Sequence, residues 1–320
     1  MIIHSASELN AAGQKSCVAI GFFDGVHLGH QQIIRQTISD AQQHEGLAVI
    51  ITFDRHPNTV VAPTRVPPLI YSLPQKLRTI SSLGPDTLLL IHFDKPFSQQ
   101  TGEDFVRELD RDFGQIQSLC VGANFTFGHK RAGNVALLKR LGAELNFSVH
   151  GLAAVSLDNK PVSSTRIREA IMAGNLDGAG QMLGRPWSLA GNVMRGDRLG
   201  HELGFPTANL DVTGLVLPPD GVYAVHAQIL PNAAASPATH DSRPSPSFRA
   251  VLNIGIRPTI KTAVPERRVE AHLLDFQGDL YGREVELIFV QKLRDERKFP
   301  SVAELQAQIA RDIQQARTVF

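Results

Sequence analysis

The chain of 320 residues has little cysteine and no excess of charge of either sign, and each shortage excludes a class of protein. Cys17 and Cys120 are too few for a disulfide framework and lack the repeated spacing of a zinc site. The 32 Lys and Arg against 31 Asp and Glu leave a net charge of +1. This excludes the broad basic surface that grips a nucleic acid backbone, but not a local site for a small anion.

Long apolar segments are also missing. The longest runs, such as Leu47–Phe53, are far shorter than the ~20 residues that span a bilayer. Met1 to Lys15 shows no basic region followed by an apolar run, so we expect no signal peptide. Neither a Walker A sequence nor G-x-G-x-x-G occurs, which argues against P-loop and dinucleotide-binding chemistry. We predict a cytoplasmic protein with no nucleic acid or membrane partner; nothing in the sequence indicates its oligomeric state.

The first half alternates apolar runs with amphipathic segments, the pattern of a parallel sheet covered by helices. The strands, expected to be buried on both faces, are Val18–Ile20, Leu47–Phe53, Leu88–Ile91, Ile116–Val121 and Phe147–Leu152. The predicted helices are Gln31–His44, Gln75–Leu83, Glu103–Asp112 and Asn134–Leu141. Ligands bind such sheets at the carboxyl ends of the strands, so the residues after Ile20, Phe53 and Val121 are site candidates.

After Gly184 the pattern changes to short strands without long helices, which predicts a small antiparallel β-barrel. The predicted strands are Trp187–Met194, Gly221–Ile229, Phe248–Ile254, Val269–Phe276 and Glu284–Val290. The Pro-, Ser- and Ala-rich segment Pro231–Ser247 is expected to be a long mobile hairpin loop. The predicted class is α/β, with domains 1–184 and 185–320.

A helix is predicted over Ser301–Phe320 at the end of the chain. Ser301 is a plausible N-cap. The predicted apolar stripe consists of Val302, Leu305, Ile309 and Ile313.

Residues 21–30 read GFFDGVHLGH and lie between the first predicted strand and its helix. Gly21, Gly25 and Gly29 let the backbone turn sharply and approach a ligand closely. The helix N-terminus that follows suits phosphate. His27 and His30 can converge there and stabilise charge on a transferring phosphoryl group. A metal held by the two histidines and a simple capping role are the alternatives.

Residues 163–168 read SSTRIR and begin a helix-like segment. Ser163 or Ser164 is expected to cap that helix, with Arg166 and Arg168 in its first turn. Cations there oppose the helix dipole unless a polyphosphate binds them. An ordinary capped surface helix is the alternative.

Two further segments follow predicted strands. TFDRHP (52–57) contains His56, which could face a ligand or be an ordinary surface histidine. GANFTFG (122–128) contains Asn124, a polar group able to make two hydrogen bonds, beside phenylalanines that are more often core residues.

In the second half, GFPTAN (204–209) and the strand VEAHLLDF carry the candidate chemistry. Thr207 and Asn209 offer hard oxygen ligands for Mg²⁺ carrying ATP phosphates, although a simple turn is the alternative. By alternation Glu270 shares a face with His272, and we expect it on the inner face of the barrel as a general base. A solvated outer glutamate is the alternative.

These segments resemble a known family along nearly the whole chain. GFFDGVHLGH and SSTRIR resemble the H-x-G-H and S-[ST]-x-x-R motifs of nucleotidylyltransferases, and TFDRHP and GANFTFG resemble the branch in bacterial bifunctional riboflavin kinase/FAD synthetases. The stretches that resemble the riboflavin kinase barrel are RPWSLAGNV, GFPTANL, PPDGVYAV, NIGIRPT, VEAHLLDF, LYGRE and LRDERKF.

The resemblance implies a Rossmann-like nucleotidylyltransferase domain followed by a riboflavin kinase-like barrel, with riboflavin, FMN and ATP as substrates and Mg²⁺ bound with ATP. The catalytic residues it implies are His27, His30, Arg168 and Glu270. The ATP-binding residues it implies are Gly21, Phe22, Phe23, Asp24, Gly25, Ser164, Thr165, Gly200, Thr207 and Asn209, of which Thr207 and Asn209 would hold the metal. The flavin-binding residues it implies are His56, Asn124 and Arg294. A different phosphate acceptor and a non-catalytic flavin sensor are the alternatives.

Overall fold

The computed structural model describes residues 1–9, 14–196, 200, 203–231, 246–257 and 266–320. The chain divides into two compact units, residues 1–167 with 182–184 and residues 168–181 with 185–320. The division is not a single cut, because residues 168–181 group with the second unit.

A six-stranded parallel sheet forms the centre of the first unit, in the order β1-β4-β3-β2-β5-β8. Its strands are β1 (Ile2–Ile3), β2 (Ser16–Ile20), β3 (Leu47–Phe53), β4 (Thr87–Ile91), β5 (Ile116–Gly122) and β8 (Ser148–Leu152). Two short antiparallel pairs lie outside it, β6 (Thr126–Phe127) with β7 (Gly133–Asn134) and β9 (Ser156–Leu157) with β10 (Lys160–Pro161). In the middle of the sheet Val18 is level with Val49 and Leu119, all fully buried, so the parallel sheet prediction is confirmed.

The prediction that every strand is buried on both faces is wrong for β8. Ser148 and Gly151 are exposed, and the other residues of β8 are only partly buried. Among the described strands, β8 lies at the edge of the sheet beside β5, and edge strands are less enclosed than central ones.

The helices of the first unit follow the strands, with ends set by capping residues. They are α1 (Leu28–His44), α2 (Asn58–Val61), α3 (Leu73–Ser81), α4 (Lys95–Gln99), α5 (Gly102–Phe113), α6 (Val135–Leu145), α7 (Ser164–Met172) and α8 (Leu176–Leu183). The last two are shared between the units: α7 begins in the first unit and ends in the second, and α8 begins in the second and ends in the first. In α5 the Thr101 hydroxyl accepts a hydrogen bond from the N–H of Asp104 at 3.1 Å, and Gly114 ends the helix at a φ of 72°. Helix α1 begins at Leu28, three residues before the predicted start, because His27 is its N-cap.

A closed antiparallel barrel forms the second unit, in the order β11-β12-β15-β14-β13-β16. Its strands are β11 (Ser188–Met194), β12 (Ala208–Leu210), β13 (Gly221–Ile229), β14 (Ser247–Arg257), β15 (Glu266–Leu273) and β16 (Glu284–Arg294). Alternating residues fill its interior, as Val285 and Leu287 do with no exposed surface. Trp187 is buried against Phe289, with the ring centroids 4.8 Å apart. The predicted barrel is confirmed.

Helix α9 (Val302–Val319) covers part of the outer face of the barrel. Ala316 is fully buried in a cluster with Val222, Val251 and Leu274 on that face. The predicted cap is present, since the Ser301 hydroxyl accepts from the N–H of Glu304 at 3.2 Å. Including Val302 in the apolar stripe was wrong, because in the first turn of the helix its side chain is 61% exposed.

Two other expectations concern segments rather than elements. The loop predicted over Pro231–Ser247 lies outside the described residues except at Pro231, Pro246 and Ser247. Among the helices in the described ranges, none combines the length and the apolar character needed to cross a bilayer.

The single tryptophan of the chain lies in the barrel, so its fluorescence reports on barrel unfolding. Leu189 is fully buried beside Leu287, and Leu189→Ala is expected to lower the free energy of unfolding by about 2–5 kcal/mol. Val290 is 43% exposed, and Val290→Ala should change the free energy of unfolding by less than about 0.5 kcal/mol. Urea unfolding followed by Trp187 fluorescence measures the stability of both variants. Equal unfolding midpoints would contradict the assignment of Leu189 to the interior of the barrel.

Candidate active sites

The segment GFFDGVHLGH leaves β2 as a strained turn. Phe23 and Val26 have positive φ angles of 54° and 43°, which cost side-chain-bearing residues about 1–3 kcal/mol each. Gly25 lies between them at 76°, where the absence of a side chain removes that cost. Backbone strain of this kind persists only where surrounding contacts impose it, and it marks functional loops.

Asp24 supplies those contacts. Its carboxylate is 3% exposed and accepts hydrogen bonds from the N–H groups of Ile70, at 3.0 Å, and Tyr71, at 3.4 Å. Its backbone carbonyl accepts a third from the Ser164 hydroxyl at 3.1 Å. The two motifs that the sequence singled out therefore meet at Asp24. Phe23 is only 1% exposed, so the side chains of both Phe23 and Asp24, which were predicted to bind ATP, face the interior. These two residues can therefore contact a ligand only through their backbone atoms.

His27 and His30 stack face to face at the start of α1. Their ring centroids are 3.5 Å apart and the planes differ by 19°. His27 Nδ1 accepts from the N–H of His30 at 3.3 Å, so His27 does cap the helix. The stacked geometry does not suit a shared metal, because the lone pairs lie in the ring planes and run nearly parallel. It places two imidazoles at a helix N-terminus, where an anion is favoured.

Helix α7 divides the roles within SSTRIR. Ser163 is the cap, since its hydroxyl accepts from the N–H of Arg166 at 3.3 Å. Arg166 has a structural role, because it donates to the carbonyls of Leu157, at 3.0 Å, and Lys160, at 3.1 Å. Arg168 is 9% exposed and stands four residues after Ser164, on the same helix face. Thr165 is exposed.

A cavity of about 770 Å³ opens beyond the carboxyl ends of β2 and β3. Its wall is rich in aromatic rings, among them Phe22, Phe53, Phe93, Phe97, Phe125 and Phe127. Lys95, Lys130 and Arg131 also line it. Such a cavity suits a flat aromatic ligand that carries negative charge.

The predicted flavin residues of this unit differ in position. His56 lines the cavity, its ring 4.9 Å from that of Phe22, and its Nδ1 accepts from the N–H of Asn58 at 3.0 Å. Asn124 is exposed next to the cavity residue Phe125 and is outside the described lining.

Sequence reasoning missed a buried lysine in this unit. Lys76 of α3 is 3% exposed and donates to the carbonyls of Phe53, at 2.8 Å, and Phe22, at 3.2 Å. Burial lowers its pKa to about 8, although the carboxylates of Asp24 and Asp54 oppose that shift. A lysine within an amphipathic helix is expected to face solvent, so no sequence signal distinguished it.

In the second unit, strand register brings polar residues into one row across the outer face of the barrel. Asn209 of β12 pairs with Glu270 of β15, which pairs with Asn253 of β14. The row continues through Val222 of β13 to Arg294 of β16. Neighbours in such a row have their Cβ atoms about 5 Å apart, so Glu270 lies between two amides.

Placing Glu270 on the inner face of the barrel was wrong. Val269, Ala271 and Leu273 occupy the inside of β15, each 7% exposed or less, so Glu270 and His272 face outward. Closure of the barrel determines which face is inside, whereas alternation alone shows only which residues share a face. The outward face is not simply solvated here, because α9 and the segments around Thr207 enclose it.

The segment before β12 approaches the row closely. A Cβ on Gly196 would lie 2.3 Å from Asn209 Nδ2, and one on Gly200 would lie 2.9 Å from Thr207 Oγ1. A side chain at either position would have to displace these groups. His272 Nδ1 donates to the carbonyl of Pro206 at 2.8 Å and so ties this turn to β15.

A cavity of about 670 Å³ contains these groups. Its lining includes Thr207, Asn209, Asn253, Glu270 and Arg294, together with Gly196, Gly200 and α9 residues such as Ile309. Arg294 donates to both oxygens of the buried Asp312 of α9, with Nη2 2.8 Å from Oδ2. The fold thus brings together all the predicted barrel residues and adds Asn253, which the sequence analysis did not single out.

Comparisons with known proteins match the chain in two parts. A family model described as FAD synthetase matches residues 9–166, and one described as riboflavin kinase matches residues 183–320. A protein from Escherichia coli (strain K12) named bifunctional riboflavin kinase/FMN adenylyltransferase is 35% identical over 100% of this chain and 97% of its own length. A protein of the same name from Haemophilus influenzae is 32% identical over 100% of this chain and 99% of its own length.

A crystal structure described as a macrolide-efflux protein from Streptococcus pneumoniae shares the fold, with a TM-score of 0.78 and 28% identity over 99% of this chain and 98% of its own. The efflux description is that of the Streptococcus pneumoniae protein and is not carried over to this chain. Together, fold and family matches define a two-part transferase of flavin biosynthesis. The chain belongs to the family of bifunctional riboflavin kinase/FMN adenylyltransferases, as the sequence motifs predicted.

The ion pair between Arg294 and Asp312 fixes one wall of the barrel cavity, and the side chains are only 20% and 3% exposed. Asp312→Ala is expected to destabilise the barrel by about 3 kcal/mol, because it leaves a largely buried guanidinium without its carboxylate. Asp295, 87% exposed and paired with Lys292, is the matched control, and Asp295→Ala should change stability little. Urea unfolding followed by Trp187 fluorescence compares them; equal losses would refute the assigned role of the pair.

Proposed function

We propose that the barrel unit phosphorylates riboflavin to FMN and that the N-terminal unit transfers an adenylyl group from ATP to FMN, giving FAD and pyrophosphate. The proposal keeps the predicted division at residue 184 and the predicted cytoplasmic location. The observation that carries it is the row of Asn209, Glu270 and Asn253 beside Thr207, in a cavity large enough for a flavin and a nucleotide phosphate chain.

In the barrel, Glu270 is proposed as the general base. The terminal ribityl hydroxyl oxygen attacks the γ-phosphorus of ATP, its proton passes to the Glu270 carboxylate, and ADP leaves. The flanking Asn209 and Asn253 support this role, because amides can orient a carboxylate without adding charge. Arg294, held by Asp312, is proposed to contact the flavin from the opposite wall.

Thr207 and Asn209 are proposed to hold the Mg²⁺ that accompanies ATP. Hydroxyl and amide oxygens are hard donors of the kind Mg²⁺ accepts alongside phosphate oxygens and water, so the donor set fits. No group of three or more His, Cys, Asp or Glu that could hold a metal by itself occurs in the part of the chain that the structure describes. Bound Mg²⁺ would offset phosphate charge. The absence of a side chain at Gly200 leaves room beside the Thr207 hydroxyl, since a Cβ there would lie 2.9 Å from it.

In the N-terminal unit, alignment and charge stabilisation are proposed to carry the reaction. An FMN phosphate oxygen attacks the α-phosphorus of ATP and the bond to pyrophosphate breaks. The attacking group is already an anion, so no general base is needed. His27 and His30 would stabilise the added charge, with the strained loop Gly21–Val26, Ser164 and Thr165 around the ATP phosphates. Arg168, in the part of α7 that groups with the second unit, is proposed for the same role on the strength of the sequence motif.

The flavin ring is proposed to occupy the aromatic cavity of the N-terminal unit. His56 and the rings around Phe22 would contact it, with Asn124 at the edge. The basic lining residues Lys95, Lys130 and Arg131 support the preference for a phosphorylated flavin over riboflavin.

Glu270→Gln separates the two activities. The wild type incubated with riboflavin, ATP and Mg²⁺ should give FMN and then FAD on separation of the flavins. The variant should lose about 10²–10⁴-fold in riboflavin phosphorylation, because an amide cannot take the proton. It should still convert supplied FMN to FAD at the wild-type rate, which is the internal control for folding. Equal loss of both steps would contradict the assignment of sites.

His30→Ala should produce the reverse pattern. Loss of one imidazole at the charge-stabilising terminus is expected to lower adenylyl transfer about 10²–10³-fold, so that FMN accumulates from riboflavin. His44→Ala, at the far end of the same helix, is the matched control and should make FAD normally. Normal FAD formation by His30→Ala would remove His30 from the catalytic groups.

A further inference from the structure

Lys76 is a buried charged group that the proposed chemistry does not use. Its side chain belongs to helix α3 and is 3% exposed. A buried ammonium is costly unless hydrogen bonds and opposite charges compensate it. The groups that compensate Lys76 therefore indicate what the fold gains from keeping it there.

The ammonium joins the ends of the two strands that lead into the N-terminal site. Its Nζ donates to the carbonyl of Phe53, the last residue of β3, at 2.8 Å and to that of Phe22, in the loop after β2, at 3.2 Å. The Phe22 carbonyl also accepts from the Thr52 hydroxyl at 3.1 Å. Nζ lies 4.3 Å from the centroid of the Phe22 ring, within cation–π range.

The two segments that begin at these carbonyls carry the proposed substrates. Phe22 precedes the strained turn that leads to His27, and Phe53 precedes the segment that contains His56. Both phenylalanine rings line the aromatic cavity. The separation of the two carbonyls therefore sets how the nucleotide loop is placed relative to the flavin.

Two carboxylates face Lys76. Asp24 comes from the loop after β2, and Asp54 follows β3, where it accepts from the N–H of Phe93 at 2.9 Å and contacts His92 and Arg55. Burial lowers the pKa of Lys76 to about 8 in spite of them. The charge on Lys76 is thus lost within the weakly alkaline range, well before an exposed lysine would lose it.

We propose that protonated Lys76 is a positioning residue for adenylyl transfer, which holds the Phe22 and Phe53 carbonyls together and so fixes the nucleotide loop against the flavin cavity. The inference rests on the proposed function of the N-terminal unit. Above about pH 8 the neutral amine loses one donor and its attraction to Asp24 and Asp54, so the alignment of FMN and ATP loosens.

The test measures kcat and KM for FMN in adenylyl transfer from about pH 6.5 to 9.5 with the full-length protein, a range that spans the shifted lysine. The wild type should lose kcat/KM for FMN above about pH 8. Lys76→Arg should lack that alkaline fall, because a guanidinium stays charged throughout. Lys76→Met should lower kcat/KM for FMN at least about 10-fold at neutral pH and also lack the fall.

Controls separate positioning from folding. Riboflavin phosphorylation by the same Lys76→Met sample should match the wild type, and Lys139→Met, the same change at an exposed site, should adenylate FMN normally. If Lys76→Arg does not fold, the profile of Lys76→Met decides. Three results would overturn the inference. The first is a wild-type kcat/KM for FMN that does not change with pH, and the second is an alkaline fall in kcat/KM that either variant retains. The third is adenylyl transfer by Lys76→Met at the wild-type rate. Absence of FAD formation by the wild type would instead overturn the proposed function.

Discussion

The buried carboxylate of Asp24 is the interaction on which the N-terminal site depends. It accepts from two consecutive backbone N–H groups at Ile70 and Tyr71, and it faces the ammonium of Lys76. Its own backbone carbonyl receives the hydroxyl of Ser164. One residue thus links the loop after β2, the segment before α3 and the start of α7. Those bonds help to offset the unfavourable φ angles of Phe23 and Val26 in the turn that leads to the stacked histidines.

In the barrel, the candidate site residues are positioned by the register of the strands and not by a strained backbone. Asn209, Glu270 and Asn253 lie side by side because three antiparallel strands pair at that level. A slip of one residue in β15 would turn Glu270 into the apolar interior and expose Ala271. The burial of Val269, Ala271 and Leu273 opposes such a slip, since the apolar contacts that β15 makes inside the barrel would be lost together. The hydrophobic core and the candidate catalytic row are therefore specified by the same alternation.

The sequence predicted the architecture well, because apolar runs and alternation record burial directly. It also identified the family, the motif residues and the face that Glu270 shares with His272. It did not show that this face is outside the barrel, since closure and the cover provided by α9 are long-range features. Asn253 and Lys76 were missed for a similar reason. Each gains its significance from a neighbour distant in sequence, Glu270 for Asn253 and the Phe22 carbonyl for Lys76.

The net charge of +1 is consistent with a protein that handles phosphates at two places. In the proposed N-terminal site, imidazoles and a helix terminus would supply the positive potential, and the buried ammonium of Lys76 faces two carboxylates. In the barrel, hydroxyl and amide oxygens suit a cation that arrives with its nucleotide. Each arrangement concentrates its field within a few ångströms. Such a site suits a small polyanion, because a few converging groups can reach all of its charges.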